Sequence, residues 1–169
     1  MDSRNSNSSA LDASAFYAGI PFLSQARYNY YHTTQLVFDE VEHIKQSHGA
    51  IEALLETGSL QIVDPSDANI GRAKAAAKKT GDYSRLSPAD FSIIALALQL
   101  QIPLVTDDYA VANVASALNI PVRSTSSKGL KEKRRWIAYC SACGKTFGPD
   151  ARECPLCGNR LRRKYRVVT

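Results

Sequence analysis

The sequence predicts an α/β domain, a parallel sheet flanked by helices, followed by a small β ribbon. Three observations carry this. Between residues 8 and 123, short apolar runs alternate with amphipathic segments, the pattern of βαβ units. All four cysteines lie in two CxxC pairs, Cys140/Cys143 and Cys154/Cys157, near the C-terminus. The charge reverses between the two regions: residues 1–123 hold 9 Lys and Arg against 13 Asp and Glu, net −4, while residues 124–169 hold 12 against 3, net +9. The expected division is an α/β domain over 1–123, a basic flexible linker over 124–133 (Ser-, Lys- and Gly-containing), and a ribbon with a basic tail over 134–169.

The elements are taken in chain order. A first strand is expected at Ala10 and Leu11, short and preceded by the polar run Asn5 to Ser9; the segment from Asp12 onward is the reason for placing it there. Phe38 to Leu55 reads as helix, broken near His48-Gly49. Leu60 to Val63 reads as a strand, and Ser66 to Thr80 as a helix. That helix has Lys74, Lys78 and Lys79 toward its C-terminal end, where the dipole favours cations, and Gly81 stops it. Ser87 and Pro88 open the next helix as cap and first residue, and its apolar body, Phe91 to Leu100, ends before Gln101-Ile102-Pro103. A strand over Pro103 to Thr106, a helix over Tyr109 to Leu118 and a strand over Ile120 to Val122 complete a βαβ crossover. The ribbon's strands are expected near Trp136 to Tyr139 and Leu161 to Val168.

The cysteine spacing is that of one structural zinc ion. Two CxxC pairs separated by ten residues can turn four thiolates toward one tetrahedral centre. Gly144 and Gly158 follow the second cysteine of each pair, where a knuckle needs positive φ, and Pro155 fixes φ after Cys154. Two disulfides are the competing reading, but nothing in the chain points to an oxidising compartment, and a single redox CxxC would leave the second pair unexplained.

Composition narrows the class. At 44% hydrophobic and 22% charged, the chain has the make-up of a globular protein. Its longest apolar run, around Phe91 to Leu98, is too short to span a bilayer, and MDSRNSNSSA has no signal-peptide pattern, so a cytoplasmic location without membrane is expected. The basic tail calls for an anionic polymer as partner. Lys131, Lys133, Arg134 and Arg135 precede Trp136, and Arg160, Arg162, Arg163, Lys164 and Arg166 surround Tyr165. Cations track phosphates and exposed rings stack on unpaired bases, so these nine residues are the candidate RNA contacts, while Trp136 and Tyr165 serve equally well as the ribbon's small core. His32, His43 and His48 have no metal spacing and read as surface or cap residues; no GxxxxGK[ST] loop or nucleophile elbow is present.

Acidic residues fall where strands end or helices begin: Asp12 after the first strand, Glu40 on a helix, Asp90 in a first turn, Asp107 and Asp108 after the Pro103 to Thr106 strand. In a parallel sheet the carboxyl ends of strands line one crevice, where clustered carboxylates are commonly held ionised by a divalent cation. Mg²⁺ or Mn²⁺ there activates water against a phosphodiester, which is nuclease chemistry. Each acid also has a local alternative: a capping box for Asp90, an N-cap for Asp107 or Asp108, a solvated helix charge for Glu40, a turn for Asp12.

The segments around these acids resemble PIN domains over roughly residues 8–123. LDASAFYAG resembles their opening strand and turn, YHTTQLVFDEVEHI their Thr-Thr…Val-x-x-Glu segment, and LSPADFSIIALAL and LVTDDYAVANVA their later acidic motifs. With the ribbon added, and with TGDYSRLSPAD at residues 80–90, the chain resembles the archaeal NIN-one-binding endoribonucleases, a PIN domain plus zinc ribbon. The resemblance implies a PIN-like fold and metal-dependent cleavage of precursor small-subunit rRNA at its 3′ end, on the pre-ribosomal small subunit. It implies Mg or Mn ligands at Asp12, Glu40, Asp90 and Asp108, with Asp107 as a neighbour or additional ligand. Ser14 and Thr106 would hydrogen-bond beside the site, and Asp82 would approach from its loop. Two rivals stand beside it: a PIN nuclease acting on another RNA, and a non-catalytic ribosome-assembly adaptor that only binds RNA.

Overall fold

The computed structural model describes residues 7–23, 29–41, 48–125 and 133–168. Five parallel strands form one sheet in the spatial order β3-β2-β1-β4-β5: β1 Ser8–Leu11, β2 Tyr30–Thr33, β3 Leu60–Ile62, β4 Leu104–Val105 and β5 Val122–Arg123. The chain winds outward from β1 to β3, then returns to the other side of β1 with β4. That reversal leaves a crevice between β1 and β4 at the carboxyl ends of both strands.

Helices α1 (Ala13–Tyr17), α2 (Gln35–Glu40), α3 (His48–Glu56), α4 (Asp67–Thr80), α5 (Pro88–Leu100) and α6 (Tyr109–Ala117) connect the strands. α5 is the core helix. Ser87 caps it, Pro88 occupies its first position, and every residue from Phe91 to Leu98 is buried, mostly in the apolar cluster shared with Leu11, Leu60 and Leu104. A helix apolar all round must be enclosed, and α5 packs against β1 and β4 as well as α2, α4 and α6.

Three elements differ from the sequence expectation. β1 includes Ser8 and Ser9, each about 95% buried, so the first strand is longer and more polar than Ala10 and Leu11 suggest. The expected Phe38 to Leu55 helix is two helices. α2 starts at Gln35 because the Thr34 hydroxyl accepts from the Val37 N–H, and it closes at Val41, well before His48. β2 is not marked by apolar alternation, since Tyr30-Tyr31-His32-Thr33 is polar in composition. In place, Tyr31 and Thr33 are buried, and His32 is a half-buried strand residue rather than a surface one. Its Nδ1 has no partner among the described residues, and burial lowers its pKa. His48 opens α3, and His43 lies outside the described residues.

A second, antiparallel sheet, β7-β6-β8, is built from β6 Lys133–Tyr139, β7 Thr146–Phe147 and β8 Arg162–Val168. β6 and β8 pair residue for residue from Lys133 with Val168 to Tyr139 with Arg162. β6 also packs on α4 and α6, so the ribbon is seated on the α/β domain.

The seat centres on Gly81. Its φ of +84° makes the left-handed cap of α4, with its N–H on the Ala77 carbonyl. A Cβ there would lie 2.5 Å from Pro149 Cβ and 2.8 Å from Trp136 Cβ, both ribbon residues. Arg163 donates to the Gly81 carbonyl and lies 5.2 Å from the Trp136 ring, and Arg85 approaches the same ring at 5.8 Å. Trp136 and Tyr165 meet edge-to-face at 5.7 Å. Trp136 is therefore the plug between ribbon and α/β domain.

This contact is open to test by comparing two glycines. Gly58 has φ +70° and open space around it, so Gly58→Ala should cost only the left-handed backbone penalty, about 1–2 kcal/mol. Gly81→Ala should lose about 1–3 kcal/mol beyond that, as measured by chemical denaturation, because ribbon atoms must move. Equal losses at the two positions would contradict the seat.

Candidate active site and metal centre

The crevice is lined by polar residues that the fold buries at the strand ends. Thr33, at the end of β2, donates to the Leu11 carbonyl at 3.0 Å, tying β2 to β1 immediately before Asp12. Thr34 and Ser92 share a hydrogen bond of 2.6 Å, fastening the start of α2 to α5. Both threonines are fully buried. The sequence pattern marks the Thr-Thr pair but not its role, which depends on a partner 58 residues away.

Asp12 follows β1, is 5% exposed, and caps α1 through the Ala13 N–H at 2.8 Å. Its other oxygen accepts from Thr106 at 2.7 Å and Ser14 at 3.3 Å. Asp90 completes a capping box with Ser87: the Ser87 N–H donates to Asp90 Oδ2 at 2.7 Å, and the Asp90 N–H to Ser87 Oγ at 3.1 Å. Asp108 caps α6 through Ala110 and Val111 N–H groups on Oδ1. Glu40 closes α2, exposed, with its carbonyl held by the Tyr17 hydroxyl at 3.2 Å. Asp90 and Asp108 thus fill the cap positions that the sequence offers them, Asp12 is an N-cap, and Glu40 is an exposed helix charge.

Electrostatics place four of these acids together. Burial pushes Asp12 above the ordinary carboxylate range, against the Thr106 and Ala13 hydrogen bonds, and the Asp90 charge adds to the rise. Desolvation raises Glu40, with Asp90 and Asp12 contributing. Asp90 is raised by desolvation, opposed by its Ser87 bonds, with Asp108 adding. Carboxylates that are desolvated and repel one another favour a bound cation.

Asp107 behaves otherwise. Its N–H donates to Ser14 Oγ at 3.0 Å, while its carboxylate accepts from the Thr125 N–H at 3.0 Å and from the Ser124 and Thr125 hydroxyls. It pins the chain leaving β5. Asp82 is 1% exposed and accepts from Asn113 Nδ2 at 2.7 Å, a bond that links the end of α4 to α6.

The acid oxygens are spaced more widely than thiolates around one ion. Among the described residues, the group of metal-capable side chains whose ligand atoms all lie within 4.8 Å of one another is Cys140, Cys143, Cys154 and Cys157. An all-oxygen donor set suits a hard cation that keeps several waters.

The two knuckles have the same backbone bonding. Cys140 N–H donates to the Lys145 carbonyl and Cys154 N–H to the Asn159 carbonyl, both at 2.9 Å; Gly144 and Gly158 N–H groups return to the Cys140 and Cys154 carbonyls, again at 2.9 Å. Gly144 and Gly158 have φ of +73° and +68°, as the turns require. Between knuckles, Cys140 and Cys157 sulfurs stand 3.5 Å apart, and Cys143 and Cys154 sulfurs 3.6 Å. Those separations exceed a disulfide bond of roughly 2.0 Å and approach the edge of about 3.8 Å that a tetrahedron with 2.3 Å metal–sulfur bonds would have. The Cys143 N–H helps lower Cys140 to about 6, whereas Cys157, despite the Asn159 N–H, is pushed up to about 12 by the Cys140 and Cys154 sulfurs. Four thiolates cannot all ionise without a cation between them, so the set fits a bound metal.

The candidate RNA contacts divide by strand face. Arg163 shares the Trp136 face of the ribbon and is committed to the seat on Gly81, while Lys164 lies 4.6 Å from the Tyr139 ring on the opposite face. Arg160 and Arg162 are exposed. Lys133, Arg134, Arg135 and Arg166 lie on the described strands, and Lys131 falls outside the described residues.

Comparison with known proteins agrees with this architecture. Residues 10–100 match the family described as PIN domain of ribonuclease. The chain is similar to Endoribonuclease Nob1 of Pyrococcus abyssi, 35% identical with 90% of each chain covered. It is also similar to Endoribonuclease Nob1 of Methanothermobacter thermautotrophicus, 33% identical with 91% of each covered. Over 95 residues, 53% of this chain and 20% of the other, it is 35% identical to the 20S-pre-rRNA D-site endonuclease NOB1 of Saccharomyces cerevisiae. The match over residues 10–100 and the relatives that span nine-tenths of the chain, ribbon included, make this a divalent-metal-dependent PIN-domain endoribonuclease of the Nob1 family.

Proposed function

We propose that this endoribonuclease cuts precursor small-subunit rRNA at its 3′ end, acting in the cytoplasm on the pre-ribosomal small subunit. The observation that carries the reading is the coupled set Asp12, Glu40, Asp90 and Asp108 in a chain that matches Nob1 relatives across the ribbon as well as the PIN domain. Among the described residues no helix is long and apolar enough to cross a membrane.

Asp12, Glu40, Asp90 and Asp108 would hold Mg²⁺ or Mn²⁺, and that ion would supply an activated water and charge neutralisation at the scissile phosphate. Thr106 and Ser14 fix the Asp12 carboxylate, and the backbone N–H groups at the starts of α5 and α6 fix Asp90 and Asp108. The caps orient the carboxylates before any ligand arrives, so little reorganisation is left for the reaction. Cys140, Cys143, Cys154 and Cys157 would hold one structural zinc ion, and the ribbon's basic residues would grip phosphates.

Cleavage of an end-labelled RNA spanning the 3′ end of small-subunit rRNA tests the proposal. Wild type with Mn²⁺ should give a cut at the mature end, EDTA should abolish it, and Asp12→Asn should lose at least about 100-fold in rate while keeping RNA affinity. Binding without a cut by wild type would favour the adaptor, and cuts elsewhere would favour another RNA.

Cys140→Ser should unfold the ribbon, because metal binding supplies most of the folding free energy of so small a unit. Its RNA affinity should fall with the loss of bound zinc, read by a chromogenic chelator. Unchanged affinity would confine the ribbon to a structural role.

The raised pKa values also fix a pH dependence. A carboxylate whose folded pKa lies above its unfolded value contributes stability that is fully present below the unfolded pKa and is lost as pH rises through the folded pKa. The metal-free protein should therefore gain this contribution as pH falls from neutral toward the carboxylate range, apart from other groups. At neutral pH, Mn²⁺ should raise the melting temperature of wild type and not of Asp12→Asn. An equal Mn²⁺ response in both would remove Asp12 from the metal site.

A further inference from the structure

On the α4 side of the ribbon seat, cations stand over aromatic rings, of which Tyr83 is exposed and Phe91 is buried. Starting at the ribbon, Arg163 and Arg85 lie over Trp136 at 5.2 and 5.8 Å. Two residues before Arg85, Tyr83 carries Lys78 at 5.2 Å and meets Phe91 at 5.4 Å between centroids. Phe91 in turn carries Lys74 at 5.9 Å, and Phe91 is the residue next to Asp90.

Helix stability alone does not account for the two lysines. They stand at i and i+4 on α4, where like charges destabilise a helix by roughly 0.2–0.5 kcal/mol. The helix dipole favours Lys78 in the last turn, but Lys74 lies outside it. From residue 68 to residue 89 Asp82 is the one acid, and it is buried on Asn113. Lys74 and Lys78 are exposed, and Tyr83 is 40% exposed.

We infer that the α4 face, from Arg85 through Lys78 to Lys74, is a track for a single-stranded RNA backbone between the ribbon and the catalytic acids. This rests on the nuclease reading above. It extends the RNA interface onto the PIN domain, beyond the ribbon residues that the sequence pointed to. The lysines supply phosphate contacts and Tyr83 a ring for a base to stack on. The seat at Gly81 fixes the two halves of the track in register, so RNA bound on the ribbon is delivered toward Asp90. RNA suits the surface better than an acidic protein does, because an exposed ring stands among the cations and the chain is a PIN-domain ribonuclease.

The test is RNA affinity as a function of salt for the full-length, zinc-loaded protein with an unpaired 3′-end RNA. In Lys74→Gln/Lys78→Gln, the log–log salt slope should be shallower by about 1.4, two single-strand phosphate contacts, with affinity reduced and kcat at saturating RNA unchanged. Lys74→Arg/Lys78→Arg should bind as wild type, which separates charge from packing. Arg72→Gln, off the track on the same helix, should keep the wild-type slope to within a fraction of one contact. Wild-type slope and affinity in the Gln pair, or an equal change in Arg72→Gln, would overturn the track while leaving the nuclease reading intact. Failure of wild type itself to bind RNA would overturn both.

Discussion

Like charges brought together at the end of a sheet are the constraint on which the rest of this structure depends. Burial raises the pKa values of Asp12, Glu40 and Asp90, neighbouring carboxylates add to each rise, and the fold still holds them there. It does so with backbone: three of the four carboxylates accept N–H groups at helix starts. Hydrogen bonds to a carboxylate favour its charged form, partly offsetting desolvation. One set of side chains thus starts the helices and furnishes the site, which is why the positions of the acids and the topology of the sheet are inseparable.

The polar residues beneath the acids answer the same demand. Thr33, Thr34, Ser92 and Thr106 are buried polar side chains, and each has a hydrogen-bond partner that fixes a strand end or a helix start. Replacing them with apolar residues would suit the core and loosen the crevice. Ser8 and Ser9 are buried at the amino end of β1, the other end of the strand from Asp12, so this central parallel strand departs there from the usual Val, Ile and Leu.

The legible and the hidden parts of the fold separate along physical lines. The cysteine pairs, the Ser87-Pro88-Asp90 helix start and the βαβ crossover are legible in the sequence because each depends on residues close together in the chain. β2 is not, because its burial is conferred by β1 and β3 rather than by its own hydropathy. Adjacent Asp107 and Asp108 cannot be told apart in sequence; one caps α6 within the charged set, and the other ties down residues 124 and 125. Trp136 has two plausible uses in the sequence and a third in the structure, filling the junction against Gly81, since the contact joins residues 55 positions apart.

The most direct measurement is the site-resolved titration of the carboxyl groups of Asp12 and Asp90 by NMR, in the metal-free protein and with saturating Mg²⁺. The account predicts pKa values above the ordinary carboxylate range without metal, and a marked fall when Mg²⁺ is added. Ordinary values that ignore Mg²⁺ would contradict it, because the acids would then be caps and no more.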